Sequence, residues 1–376
     1  MHPFKSNCRF QLGYALLLAL GVGLPVGVRA GEVDIQEVSH VTSVSHRDEM
    51  RLSWDTDSPG QMLDLYVVTA PDMALDGLLP VASAIRAGYG HWQGPVSSVS
   101  RPYFVFTRAN TLEVKRITAE RLLPLAGGRN FRDMGGYVTS DGRQVKWGKV
   151  YRSGAMDGLT DQDYAYLEGL GIKVICDFRA SDERLAEPTV WRAGKPEYLS
   201  WDYGSADNSS PLRELLGSGT ADADQARQAM QTLYPQLLEQ HKGRFRIMFA
   251  RLLADRLPLA FNCSAGKDRT GLAAALLLTA LGVPREQVVY DYAFSDDYVD
   301  YLQEFEGSTK AGEPYAYLAA LPHDFLLALM ASDPAYIETA FDYMDARYGS
   351  AENFIEQELG VGATERLFLR NRLLTQ

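Results

Sequence analysis

Cys263 and Arg269 stand with five residues between them in the run Phe261-Asn262-Cys263-Ser264-Ala265-Gly266-Lys267-Asp268-Arg269-Thr270-Gly271. A thiol and a guanidinium at that spacing can serve one reaction. The thiolate attacks phosphorus, and the planar fork holds two phosphoryl oxygens. The run begins after the apolar stretch Leu257–Phe261, which reads as a buried strand, and opens the Ala/Leu-rich stretch Leu272–Leu281, which reads as a buried helix. A loop at such a junction turns successive N–H groups into one hollow at the positive end of a helix, a seat for a phosphate dianion. Gly266 lets the chain turn tightly there. Ser264, Ala265, Gly266, Lys267 and Thr270 are expected to line the bowl, with Lys267 as a second cation.

Ester cleavage also needs a proton for the leaving oxygen. Two acids compete for that role. Asp268 lies inside the loop, whereas Asp202, in Ser200-Trp201-Asp202-Tyr203, follows a strand and could swing in on a mobile segment. The bland alternative is a buried packing cysteine beside an incidental arginine. The strand, the nine-residue loop and the helix together argue against it.

The loop resembles the signature of the Cys-dependent protein tyrosine phosphatases. Its Gly-Lys-Asp-Arg-Thr form is similar to that of a secreted bacterial branch with protein and phosphoinositide activity. Further blocks carry the resemblance from about Leu122 to the end: Asn130-Phe131-Arg132-Asp133-Met134-Gly135-Gly136-Tyr137, Tyr151-Arg152-Ser153, Val174-Ile175-Cys176-Asp177-Phe178-Arg179 with Glu183 and Pro188, and Tyr348-Gly349-Ser350. The resemblance implies a two-step reaction through a phosphocysteine on Cys263, with no metal and no cofactor, and it favours Asp268 as the acid. It implies that Asn130, Arg132, Asp133, Asp177 and Arg179 support the loop. Asp291-Tyr292 and Ser295-Asp296-Asp297-Tyr298, near the C-terminal side, are expected to line the pocket mouth. One position departs from the pattern: the family has His before the cysteine, and this chain has Asn262. That His orients the loop, so the exchange bears on catalytic efficiency.

These groups need elements to position them. Residues 1–30 read as a secretory signal peptide, with Lys5 and Arg9 before an apolar core and Val28-Arg29-Ala30 as the cleavage site. A periplasmic or secreted location follows as an expectation, with no membrane span after cleavage. Residues 31–119 alternate apolar and polar positions, as at Met50-Leu52-Trp54, Leu63-Leu65-Val67, Tyr103-Val105-Thr107 and Leu112–Ile117. That is the pattern of a small antiparallel β-sandwich. His40, His46 and His91 have no metal-ligand spacing.

Residues 120–376 alternate strands and helices, the pattern of an α/β sheet flanked by helices with its site at the strands' carboxyl ends. Asp141-Gly142 signals a hairpin. Thr160-Asp161-Gln162-Asp163 signals a capping box, and Gly171 a helix end. A Ser/Gly/Asp-rich loop within 201–221, then helices over 222–240 and 243–255, form a candidate lid over about 205–255.

The net charge is −11, and loss of the leader removes three basic residues and no acid. Such a surface opposes binding to nucleic acid or anionic lipid. Cys176 and Cys263 remain in the mature chain, too few for a disulfide framework. Cys176 is expected to be a packing thiol, or else a partner that shields Cys263 in a reversible disulfide. The leading reading is a phosphatase acting on phosphotyrosine proteins or phosphoinositides. The alternatives are a phospho-ligand binding module with weak catalysis and, less well matched, a thiol oxidoreductase.

Overall fold

The computed structural model describes residues 41–44, 49–55, 60–86, 89–95, 101–204, 222–300 and 322–375. The expected leader at residues 1–30, His40, His46 and the loop residues 205–221 lie outside them. In chain order β1 (Val41–Val44), β2 (Glu49–Asp55), β3 (Met62–Val68), β4 (Ala82–Arg86), β5 (Tyr89–Pro95), β6 (Tyr103–Arg108) and β7 (Val114–Thr118) build two antiparallel sheets, β1-β2-β5 and β4-β3-β6-β7. Alternation puts Leu63, Leu65, Phe104 and Phe106 on one face of the larger sheet, where they meet Leu52 and Trp54 of the smaller one. Trp54 lies edge-on to Phe106, and Trp92 to Phe104. The small sandwich expected from the alternation is therefore present.

The opposite face of the larger sheet is also covered. Tyr66, Val68, Tyr103 and Val105 pack around Trp147, which belongs to the α/β region. The Gln144 amide pairs with both backbone groups of Ile117, donating to its carbonyl at 2.8 Å and accepting from its N–H at 3.2 Å. Arg101 donates to Asp133 at 2.9 Å, with both side chains buried.

The α/β region holds β8 (Arg132–Asp133), β9 (Val150–Ser153), α1 (Asp161–Leu170), β10 (Val174–Asp177), α2 (Ser181–Ala186), β11 (Glu197–Ser200), α3 (Ala223–Leu253), β12 (Leu259–Asn262), α4 (Asp268–Leu281), α5 (Arg285–Ala293), α6 (Ser295–Tyr298), α7 (His323–Met330), α8 (Pro334–Tyr348), α9 (Ala351–Leu359) and α10 (Ala363–Leu373). The sheet order is β11-β10-β12-β9-β8, parallel except for β8. The register aligns Ser153, Asn262, Asp177 and Ser200 in one row at the strands' carboxyl ends. The short signals hold. Thr160 and Asp163 form a reciprocal capping box, Gly171 ends α1 in the left-handed region, and the turn at Gly142 closes the hairpin.

The candidate lid is corrected in one respect. The two helices expected over 222–240 and 243–255 are one continuous helix, α3, capped by Asp222. Gly243 does not break it, because Leu237, Leu238, Phe245, Met248 and Phe249 fall on one buried stripe and pack into the main core. Among the described residues no helix is long and apolar enough to cross a membrane.

Candidate active site

Cys263 directly follows β12, and α4 begins at Asp268, so the loop occupies the junction that the sequence indicates. Two carbonyls of the loop, those of Ser264 and Gly266, are taken by donors outside it. Ser264 O accepts from Ala155 N at 2.8 Å and from Arg129 at 3.2 Å. Gly266 O accepts from Asn130 Nδ2 at 3.1 Å and from Arg152 at 2.9 Å. A peptide whose carbonyl points outward turns its N–H inward, so these contacts fix an amide-lined hollow. No side chain caps the first amides of α4. Gly266 has φ +76°, and a Cβ there would lie 2.5 Å from Gly154 N, so only glycine permits this packing.

Arg269 is held as a fork. Its terminal nitrogens donate to the two carboxylate oxygens of Glu183 at 2.6 Å each, and one also reaches Tyr203 Oη at 3.1 Å and Phe178 O at 3.2 Å. Burial opposes its charge, but Glu183 first and then the Cys263 sulfur favour it. Burial likewise tends to raise Glu183. Arg269, the Ala180 N–H and the Ser264 hydroxyl together reverse that and bring it to about 2. Glu183 enters the sequence reading only as part of a matching block, and nothing in its spacing assigns it this role.

The other expected site residues divide into those beside the loop and those turned elsewhere. Asn130, at φ +51°, supports Gly266 and also accepts from Arg132. Arg132 and Arg152 flank the buried Asp291, which also accepts from Tyr137 at 2.7 Å. Burial would raise Asp291, but Arg152 and then Arg132 hold it at about 2. Asp291 is thus a brace behind the loop, not part of a pocket mouth, which corrects the expectation for that residue; Tyr298 does line a pocket, together with Arg129, Asn130 and Ala155. Asp296 likewise accepts from Ser332 N at 2.8 Å. Asp177 pairs with Arg179, at 2.9 and 2.7 Å, and accepts from Asn262 Nδ2 at 3.2 Å, so the residue in place of the family's His joins the supporting network.

Three expectations change. The Lys267 ammonium donates to Leu329 O at 3.2 Å, Ala331 O at 3.2 Å and Asp268 Oδ1 at 3.1 Å. An ammonium has three protons, so its donors are used away from the hollow. The Ser264 hydroxyl turns to Glu183 at 2.8 Å, and the Thr270 hydroxyl to Ser153 O at 3.4 Å, which leaves these residues their backbones for a ligand. Asp133 does not brace the loop; it accepts from Arg101, from Gly135 N at 2.8 Å and from Gly148 N at 2.9 Å.

Of the two acids, Asp202 is 96% exposed and paired with Arg184 at 2.9 Å. Asp268 sits at the loop and accepts from Tyr234 Oη at 2.7 Å. The disulfide expectation also fails on register. Cys176 pairs with Phe261, so Cys263 lies two residues further along the neighbouring strand. That is about 6.6 Å along and about 4.8 Å across, a separation of about 8 Å against the ~7 Å limit for a disulfide. Both cysteines are free, and burial pushes the Cys176 thiol up to about 12.

Sequence reading missed Tyr203, Tyr234 and His241. The last two are seven residues apart on α3, two turns along one face, and both are buried. His241 Nδ1 accepts from the Arg244 guanidinium at 3.1 Å, and the ring lies edge-on to Tyr203. Burial, then Arg269 and Arg244, depress it to about 2.

The sequence profile described as "Tyrosine phosphatase family" matches residues 123–375. A protein of Cupriavidus necator provisionally named a tyrosine-protein phosphatase is 29% identical over 239 residues, covering 63% of this chain and 83% of that one. The triple specificity protein phosphatase PtpB of Mycobacterium tuberculosis is 28% identical over 268 residues, covering 61% and 91%. A tyrosine-protein phosphatase of Nostoc commune is 32% identical over 158 residues, covering 40% and 49%.

Proposed function

Because the chain belongs to the tyrosine phosphatase family and is a phosphatase, we propose that it hydrolyses phosphate monoesters through a cysteinyl-phosphate on Cys263. The observation that carries this is the outward turn of the Ser264 and Gly266 carbonyls around a buried Cys263, with Arg269 fixed beside it by Glu183. In the first step the Cys263 thiolate attacks phosphorus. The S–P bond forms, the P–O ester bond breaks, and Asp268 gives its proton to the leaving oxygen. In the second, Asp268 takes a proton from water, the water oxygen bonds to phosphorus, and the S–P bond breaks to release phosphate. Inward amides and the Arg269 fork hold the equatorial oxygens in both transition states, where charge on them is largest.

Phosphotyrosine in proteins is the substrate we propose first. Phosphoinositides come second. Their support is the resemblance of Gly266-Lys267-Asp268-Arg269-Thr270 to the secreted bacterial branch, although the Lys267 charge meets the hollow only by way of Asp268. Membership of that branch and export through the leader at residues 1–30 are part of the same proposal. Recovery from a periplasmic extract of a protein beginning at Gly31 would bear the export out.

The test is a substrate panel without added metal, run beside Cys263→Ser. Phosphotyrosine peptide, phosphoserine peptide and phosphoinositide vesicles are the substrates. We expect phosphate release by the parent, none by the variant, and a trapped phosphocysteine after rapid acid quench. Equal turnover by Cys263→Ser would overturn the mechanism.

A further inference from the structure

Asp268 does not stand alone at the loop. Oδ1 accepts from Tyr234 Oη at 2.7 Å, and Tyr234 Oη is in turn hydrogen-bonded to Tyr292 Oη. Both phenols are buried, from α3 and α5 respectively. Tyr292 presses on Gly271, one helical turn after the loop, where a Cβ would lie 2.8 Å from the ring. The loop, α3 and α5 are therefore packed so that one hydroxyl reaches the carboxylate oxygen and a second hydroxyl reaches the first.

The direction of the chain follows from counting protons. A phenol has one, and a carboxylate has none to give. Burial and then the charge of Asp268 raise both phenols well above their ordinary value, so neither ionises at working pH. The Tyr234 proton is spent on Asp268, so the proton between the two phenols belongs to Tyr292. The order is Tyr292 to Tyr234 to Asp268, and each bond polarises the next. The Lys267 ammonium adds a second donor on the same oxygen. Among the described residues no partner engages Oδ2, and the Asp268 side chain is 23% exposed.

Resting on the reading of Asp268 as the acid, we propose that Tyr234, backed by Tyr292, is its positioning residue. The phenol pins Oδ1 so that Oδ2 is the oxygen that carries and delivers the proton. A donor on Oδ1 also stabilises the ionised carboxylate, which readies it to take a proton from water in the second step. One contact thus serves both halves of the reaction.

The test is the pH profile of kcat/KM for phosphotyrosine peptide and for p-nitrophenyl phosphate, whose leaving group needs little protonation. Asp268→Asn examines the underlying reading: it should remove the high-pH limb, and a limb that persists would mean another acid. Given that removal, Tyr234→Phe should shift the limb of the parent to higher pH by about one unit, as expected for one charge-assisted bond. It should lower kcat about tenfold for the peptide and less for p-nitrophenyl phosphate. Tyr292→Phe should shift the limb the same way by less, and it decides the matter if Tyr234→Phe does not fold. In the Asp268→Asn background Tyr234→Phe should cost nothing further. An unmoved limb, or an equal loss with and without Asp268, would reduce Tyr234 to packing and overturn the proposal while the acid reading stands.

Discussion

Arg269 and Glu183 meet through two parallel hydrogen bonds of 2.6 Å, and this pairing sets the orientation of the phosphate-facing side of the fork. A guanidinium fixed on one edge presents its remaining donors in one plane, with little entropy left to lose on binding. Glu183→Gln keeps the shape and removes the charge. Each charge-assisted bond is worth about 1.5–3 kcal/mol, so kcat/KM should fall about ten- to a hundredfold. Steady-state kinetics with phosphotyrosine peptide would check this; an unchanged value would mean that substrate alone orients Arg269.

The same pair gives an acid limit to stability. Glu183 moves from 4.5 to about 2 on folding. Its contribution is present above about 4.5 and is lost as pH falls through the interval down to about 2. At 1.36 kcal/mol per unit it amounts to about 3 kcal/mol. Urea unfolding of the parent and of Glu183→Gln at pH 6 and pH 3 should show the parent's advantage shrinking at the lower pH.

His241 acts earlier on the same limb. The unfolded chain takes up its proton near 6.5, whereas burial, Arg269 and Arg244 hold the folded value near 2. The unfolded state therefore binds more protons across that interval, and stability falls as pH drops below about 6.5. Between pH 6.5 and 5 the loss should be about 2 kcal/mol. His241→Gln should flatten that slope in urea unfolding at pH 7 and pH 5, and equal slopes would show that His241 is protonated in the fold.

Cys176 should be dispensable for catalysis. It is buried opposite Phe261 and too far along the strand to reach Cys263. Cys176→Ala should retain parental kcat/KM and should be inactivated by peroxide at the parental rate and with the parental recovery in thiol. Loss of that recovery in the variant would revive the disulfide.

Much of this was legible in the sequence for a local reason. A capping box, a left-handed glycine at a helix end and a loop joining a strand to a helix at Cys263 are encoded by neighbours in the chain, and each appears where its residues predicted it. What was hidden depends on distant partners. Lys267 reads as a free cation until the carbonyls at the end of α7 come within reach. Asp133 reads as loop support until Arg101 approaches from the sandwich. The break expected near Gly243 is overridden by the apolar stripe on either side of it. Strand β5 was not recognised, because Gly90 and Gly94 interrupt its alternation. Tyr234 and His241 carried a usable signal, their spacing of two helical turns, but only tertiary packing shows which side of α3 meets the loop.

Trp147 has a practical consequence. The family profile begins at residue 123, but the indole at 147 is covered by Tyr66, Val68, Tyr103 and Val105 from before that point, and Asp133 takes its buried cation from Arg101. A truncated gene product starting at 123 would bare the aromatic surface around Trp147 and remove the Arg101 partner of Asp133. Such a fragment should aggregate or melt early on expression, whereas one starting near 41 should stay in solution and cleave phosphate esters. On that expectation the boundary of homology and the boundary of autonomous folding should fall in different places.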